Sequence, residues 1–208
     1  MDIEAKLKDL GIQLPSAPAP AANYVPYVVV DNMVYISGQI SAGPEGLITG
    51  KLGANMDVAA GQKAARQCAI ALLAQLKAAC DGDLNRLKRV VKLGAFVNST
   101  DSFTDQPQVV NGASDLMVEV LGDAGRHARA AVSSPSLPLG VAVEIDGVFQ
   151  ISWPLTCLPH SCASPSPIAR FTTCAMVARR TAAPPFLRRL KQAMALKWIC
   201  NCPPMGAP

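Results

Sequence analysis

The stretch DVAAGQKAARQCAIALLAQLKAA, residues 57–79, followed by RVVKLGAFVN, residues 89–98, decides the fold class. In the first segment Ala65, Cys68, Ala69, Leu72, Leu73 and Leu76 recur at helical spacing, so one side of a long helix must be buried. Asn55 or Asp57 can cap its start, and Asp81-Gly82-Asp83 supplies the turn after it. The second segment is β-rich and mostly apolar, as suits a strand covered on at least one face. A long amphipathic helix next to such a strand calls for a helix layer packed on a sheet.

Working downstream, Asp105 reads as the N-cap of a second helix, with Gln108 three residues on and Pro107 in the first turn. Val109, Ala113, Leu116, Met117 and Val120 form its apolar stripe, and Gly122 and Gly125 end it. Residues 129–133 and 141–151 are strands separated by the loop SPSLPLG. Upstream, YVVV (27–30) and MVYISGQI (33–40) flank a turn at Asp31-Asn32 and read as a hairpin. The loop SAGPEGLITGKLG carries a short strand near Leu47. Residues 2–10 form a short helix with Ile3, Leu7 and Leu10 on one side, ending at Gly11, and residues 15–22 form an extended Pro/Ala connector.

The order ββ(β)αβαββ predicts an α+β fold, a mixed β-sheet with both long helices packed on one face. The other face is then open and mostly apolar, which implies self-association.

Composition divides the chain. Residues 1–151 hold all 15 Asp+Glu and 12 Lys+Arg; residues 152–208 hold seven basic residues and no acidic one. The body is therefore mildly acidic, and the net charge of +4 belongs to the tail. Nothing in the body favours nucleic acid: Arg86, Lys88, Arg89 and Lys92 lack interleaved aromatics and read as a solvated face. No apolar run approaches the ~20 residues of a membrane helix. The opening MDIEAKLKDL is acidic and amphipathic, unlike a secretory signal, which points to a cytoplasmic protein without a membrane partner.

The body has one histidine, His127, and no GxGxxG, Walker loop or HExxH, so metal, nucleotide and His-triad chemistry find little to use. Cys68 and Cys80 read as buried inert thiols, and His127 as a structural or surface residue. Glu144 stands out. In VAVEIDG, Val141, Val143 and Ile145 point to one sheet face, and Ala142, Glu144 and Asp146 to the other. A carboxylate in so apolar a strand either faces solvent or serves a site. Arg129 opens the preceding strand, and a hairpin-like return would set it beside Glu144 as a structural ion pair.

VYISGQI (34–40), the helix at 57–79, and ARAAV (128–132) followed by VAVEIDG resemble the signature segments of the RidA/YjgF family, whose older names are endoribonuclease L-PSP and translation inhibitor. The resemblance covers residues 24–151. Arg129 and Glu144 are fifteen residues apart, the family's interval between its substrate-binding arginine and its water-activating glutamate. Tyr24 falls at the family's active-site tyrosine, and Ser37-Gly38 at its SGQ turn. The resemblance implies a barrel-like homotrimer with clefts between subunits and no metal or organic cofactor. It also implies hydrolysis of reactive 2-imino or enamino acids to 2-oxo acids and ammonia. Arg129 would bind the substrate carboxylate, Glu144 would act as general base, and Tyr24 would hold the water or the leaving nitrogen. Ser37 and the backbone at Gly38 and Ala131 would do further polar work. A non-catalytic regulatory protein binding small carboxylates is the alternative, and an endoribonuclease the third reading. The chain looks like a divergent subgroup. Ala131 replaces the archetypal cysteine two residues after the arginine, Asn23-Tyr24-Val25-Pro26 replaces Pro-Tyr-Ser-Gln, and the stretch before the second long helix is longer.

The family's last strand ends near Ile151. Residues 152–208, rich in Pro and Cys and free of acidic residues, read as a disordered extension or as a stretch translated out of frame. Residues 186–199 have the pattern of a basic amphipathic helix, and Cys157, His160, Cys162, Cys174, Cys200 and Cys202 match no familiar zinc spacing.

Overall fold

In a computed structural model that describes residues 2–17 and 23–152, the periodicities resolve into α1 (Ile3–Asp9), β1 (Tyr27–Val30), β2 (Met33–Ile40), β3 (Ala42–Gly43), β4 (Gly46–Leu47), α2 (Val58–Ala79), β5 (Leu87–Asn98), α3 (Gln106–Leu121), β6 (Ala128–Ser134) and β7 (Val143–Ile151). The helix and zinc readings of the tail, and most of the Pro/Ala connector, lie outside the described residues.

Local chemistry sets the boundaries. Asp57 is the N-cap of α2, its carboxylate accepting from the Ala60 amide at 2.7 Å, while Asn55 instead accepts from the Lys51 amide. The hairpin turn puts Asp31 at φ +54°, a conformation that Asp tolerates through its short polar side chain. Asp105 is the N-cap of α3 as expected, but its carboxylate takes a hydrogen bond from the Gln108 side chain rather than from a helix amide, and Pro107 occupies the first turn. Asp81 does more than turn the chain. It pairs with Arg86 at 3.0 Å, and that arginine is largely buried rather than part of the solvated basic face expected from the sequence.

The main sheet has the order β1-β2-β7-β5-β6. All neighbours are antiparallel except β5 and β6, whose parallel pairing is made through the α3 crossover. The sheet is therefore mixed. β3 and β4 form a separate two-stranded ribbon.

Helices α2 and α3 pack side by side on one face. Gly112 permits their close approach, since a Cβ there would strike the Gln62 carbonyl. The core lies between the layers: Cys68, Leu72, Leu73, Leu76, Val109, Ala113, Leu116 and Met117 meet Val34, Val90, Leu93, Ala95, Val97, Val143, Ile145 and Phe149. β7 alternates strictly, with Val143, Ile145, Phe149 and Ile151 buried towards the helices.

Among the described residues nothing covers the opposite face, which is bare. Val28, Val30, Tyr35, Phe96 and Val132 are between 43% and 51% exposed, and strand register places them on this side. Among the described residues no helix is long and apolar enough to cross a membrane.

Candidate active site

The sheet order separates Arg129 from Glu144. β5 lies between β6 and β7, so no hairpin return joins them, and the structural ion pair expected from their adjacency in sequence does not form. Arg129 stands level with Leu93 and Gly147, whereas Glu144 stands level with Phe96 and Val132. Two strand spacings across and three residues along put their Cα atoms roughly 14 Å apart. They also leave opposite faces: Arg129 shares the helix side with Leu93, and Glu144 shares the bare side with Phe96.

The candidate residues accordingly form two groups. The first gathers around β2 and β7. The register between these strands shifts between Ile36 and Gln39, and this irregularity carries Ser37 and Gly38. The Ser37 hydroxyl donates to the Val25 carbonyl at 2.9 Å, and its amide donates to the Pro26 carbonyl at 3.0 Å. These bonds anchor the segment carrying Tyr24, which is half exposed. Glu144 extends over Gly38, where a Cβ would fall on its Oε1 atom. Half-burial raises the Glu144 carboxyl above its ordinary range, and the neighbouring carboxylate of Asp146 raises it further. The Oδ1 atom of Asp146 lies against Gly94 and is buried without a hydrogen-bond partner among the described residues.

The second group lies on β6, the edge strand. Exposed Arg129 donates through one terminal nitrogen to the Ser114 hydroxyl at 2.9 Å and through the other to the Pro107 carbonyl at 3.1 Å. His127 approaches the same hydroxyl at 3.1 Å through Nε2, and its Nδ1 lies 2.6 Å from the Gly125 carbonyl. Ala131 is half-buried on the helix side, opposite Ala95.

No periodicity marks Ser114 as a partner of Arg129. The one signal was that His127 and Arg129, two apart on a strand approach, share a side. Cys68 and Cys80 are buried as expected, and burial pushes both thiols up, although Arg86 opposes the effect at Cys80. Neither is disposed to form the reactive thiolate.

Fold and site define an α+β protein whose polar groups border a bare sheet face and an open strand edge. Residues 4–147 match the family described as "YjgF/chorismate mutase-like, putative endoribonuclease". The chain belongs to this YjgF/RidA family, as a divergent member. It is 51% identical over 152 residues to Protein TCP17 of Trypanosoma cruzi, covering 72% of this chain and 94% of the relative. A crystal structure of a protein of unknown function from Agrobacterium tumefaciens superposes with a TM-score of 0.68 at 48% identity, over 72% of this chain and 92% of its own. A "putative endoribonuclease" from Shewanella oneidensis MR-1 gives a TM-score of 0.69 at 34% identity, over 73% of this chain and all of its own.

Proposed function

We propose that this protein hydrolyses reactive 2-imino or enamino acids to 2-oxo acids and ammonia, at clefts between subunits of a homotrimer in the cytoplasm. The observation that carries the reading is the division of the candidate residues. Arg129 and Ala131 lie on an open strand edge, Tyr24, Ser37, Gly38 and Glu144 lie on the far side of β5, and a bare face that presents Val28, Val30, Tyr35, Phe96 and Val132 is available for assembly. One chain holds two half-sites; a second copy can bring the edge of one beside the carboxylate of the other.

The chemistry follows from the groups. A guanidinium grips a substrate carboxylate through parallel charge-assisted hydrogen bonds, which orients the imine carbon. Glu144 takes a proton from water as the water oxygen bonds to the carbon of the protonated imine, and the C=N π pair passes to nitrogen, leaving a C–N single bond. Glu144 then returns that proton to nitrogen; the C–N bond breaks, ammonia leaves with the bonding pair, and the hydroxyl gives its proton back to Glu144 as the C=O forms. A carboxyl raised by burial suits both halves, since it holds the proton more firmly between them. Tyr24 holds the water or the leaving nitrogen.

Incubation of the purified protein with an amino-acid-derived imine tests this directly: accelerated ammonia release is expected. Saturable binding of small carboxylates without turnover would instead favour a regulatory protein. The family description and the Shewanella relative's name favour a second reading, cleavage of RNA. RNA cleavage lost in both Arg129→Ala and Glu144→Gln would support it; cleavage that survives both would assign it to another site or to a contaminant.

A further inference from the structure

We propose that Ser114 and His127 are positioning residues that hold the Arg129 guanidinium ready for a ligand carboxylate; this deepens, and rests on, the carboxylate-binding reading of the site. An exposed arginine on an edge strand has a long, rotamer-rich stem, and ordering it on ligand binding costs entropy. Here the cost is met beforehand. Both acceptors of Arg129, the Ser114 hydroxyl and the Pro107 carbonyl, belong to α3, and that helix is seated through buried Ala113, Leu116 and Met117. Two bonds from two different nitrogens fix the plane of the guanidinium, and they use two of its five N–H donors. The remaining donors are available for a two-bond grip on a carboxylate.

His127 fixes the direction of the serine hydroxyl. The Gly125 carbonyl can only accept, so Nδ1 of His127 carries a proton, and in that tautomer Nε2 is the acceptor. The Ser114 hydroxyl then donates to Nε2 and turns its lone pairs to Arg129. The chain of bonds runs one way, from Arg129 to Ser114 to His127 to Gly125, and each bond polarises the next. Its far end is rigid. Gly125 is buried and packed so tightly on α3 that a Cβ would collide with the Met117 carbonyl.

The test uses the full chain, with Ser114→Ala, Ser114→Thr and His127→Ala. The probes are pyruvate and its neutral amide, titrated calorimetrically. Wild type is expected to bind pyruvate more tightly than the amide. Ser114→Ala and His127→Ala should weaken pyruvate binding roughly tenfold while leaving the amide unchanged, and Ser114→Thr should restore most of the loss. A purely structural role would weaken both probes together and lower the melting temperature. Nitrogen-15 NMR of the Arg129 guanidinium supplies a readout independent of any ligand: rotation should be slow in wild type and fast in Ser114→Ala. If wild type discriminates pyruvate from the amide but folded Ser114→Ala does so equally well, the positioning role is overturned. If wild type binds neither probe, the carboxylate reading itself falls. The positioning role is then judged by guanidinium rotation alone, and equal rates in wild type and Ser114→Ala overturn it.

Discussion

The carboxylate of Glu144 occupies the space that a side chain on Gly38 would need: a Cβ built on Gly38 falls on Glu144 Oε1. The glycine is thus required by its neighbour, since Gly38 is not among the positive-φ glycines. Gly38→Ala should displace the Glu144 carboxylate while β2 and β7 stay paired. Imine turnover is expected to fall by about 10²-fold, the scale of a misplaced catalytic group, with the circular dichroism spectrum retained. Undiminished turnover in this variant would remove Glu144 from the reaction.

Asp146 raises the Glu144 carboxyl by charge repulsion, after burial has raised it more. Asp146→Asn should therefore shift the acid limb of kcat/KM to lower pH, because Glu144 then ionises sooner. The stability consequence has a definite sign. With its folded pKa above the ordinary 4.5, the Glu144 contribution is fully present below that value and is lost as pH rises through the folded pKa. Glu144→Gln should flatten the corresponding part of the stability–pH curve, measured by urea unfolding from pH 4 upwards.

Arg129 and Glu144 share no ion pair within the chain, so cutting either one should not release the other as a buried charge. Arg129→Ala is expected to cost about 1 kcal/mol of stability, the scale of surface hydrogen bonds. Its effect should appear instead as weaker substrate binding and lower turnover, only partly rescued by Arg129→Lys, because an ammonium lacks the planar fork. Glu144→Gln should lower turnover by roughly 10²–10⁴-fold while ligand binding survives. Melting curves measured beside kinetics would show the reverse pattern, large destabilisation with normal catalysis per folded molecule, if the two residues were structural.

Val132 is half-exposed and lies opposite Phe96 on the bare face. Val132→Asp places a charge where an assembled interface would exclude water, at a cost of several kcal/mol. Light scattering should show a trimer in wild type and a monomer in the variant, with secondary structure preserved and imine turnover lost. A variant that stays trimeric would move the interface to another surface.

β7 and the core it completes end at Ile151, and Ser152 closes the register by donating to the Arg86 carbonyl at 2.7 Å. A chain ending at Ser152 should fold, assemble and melt like the full chain, as judged by circular dichroism and calorimetry. A short form that unfolds would make residues 153–208 part of the domain. Sequencing of the coding region offers a second check. A one- or two-base change near codon 151 that opens an ordinary short ending would identify those residues as translated out of frame.

The helices were legible because each carries its own instructions: an apolar stripe at helical spacing, Asp57 to cap one start, and Pro107 in the first turn of the other. β7 was legible too, since Glu144 and Asp146 interrupt an alternation that assigns each side chain a face. Asp105 was legible as the N-cap of α3, but not the partner of its carboxylate, which takes the Gln108 side-chain amide rather than a backbone N–H. Arg86 misled because its charge was counted without its burial, which its exposed partner Asp81 does not supply.

By itself the sequence determined the class of fold and the faces of its elements, because hydrophobic periodicity is a local property that survives without knowledge of neighbours. It also determined that Arg129 and Glu144 stand fifteen residues apart on consecutive strands. Only the tertiary structure decided that these strands are not neighbours. A parallel crossover through α3 docks β6 outside β5, while β7 enters between β5 and β2, an order set by long-range strand pairing. That same packing sets Ser114 beneath Arg129 and Gly38 beneath Glu144, contacts between residues far apart in sequence that no local pattern encodes.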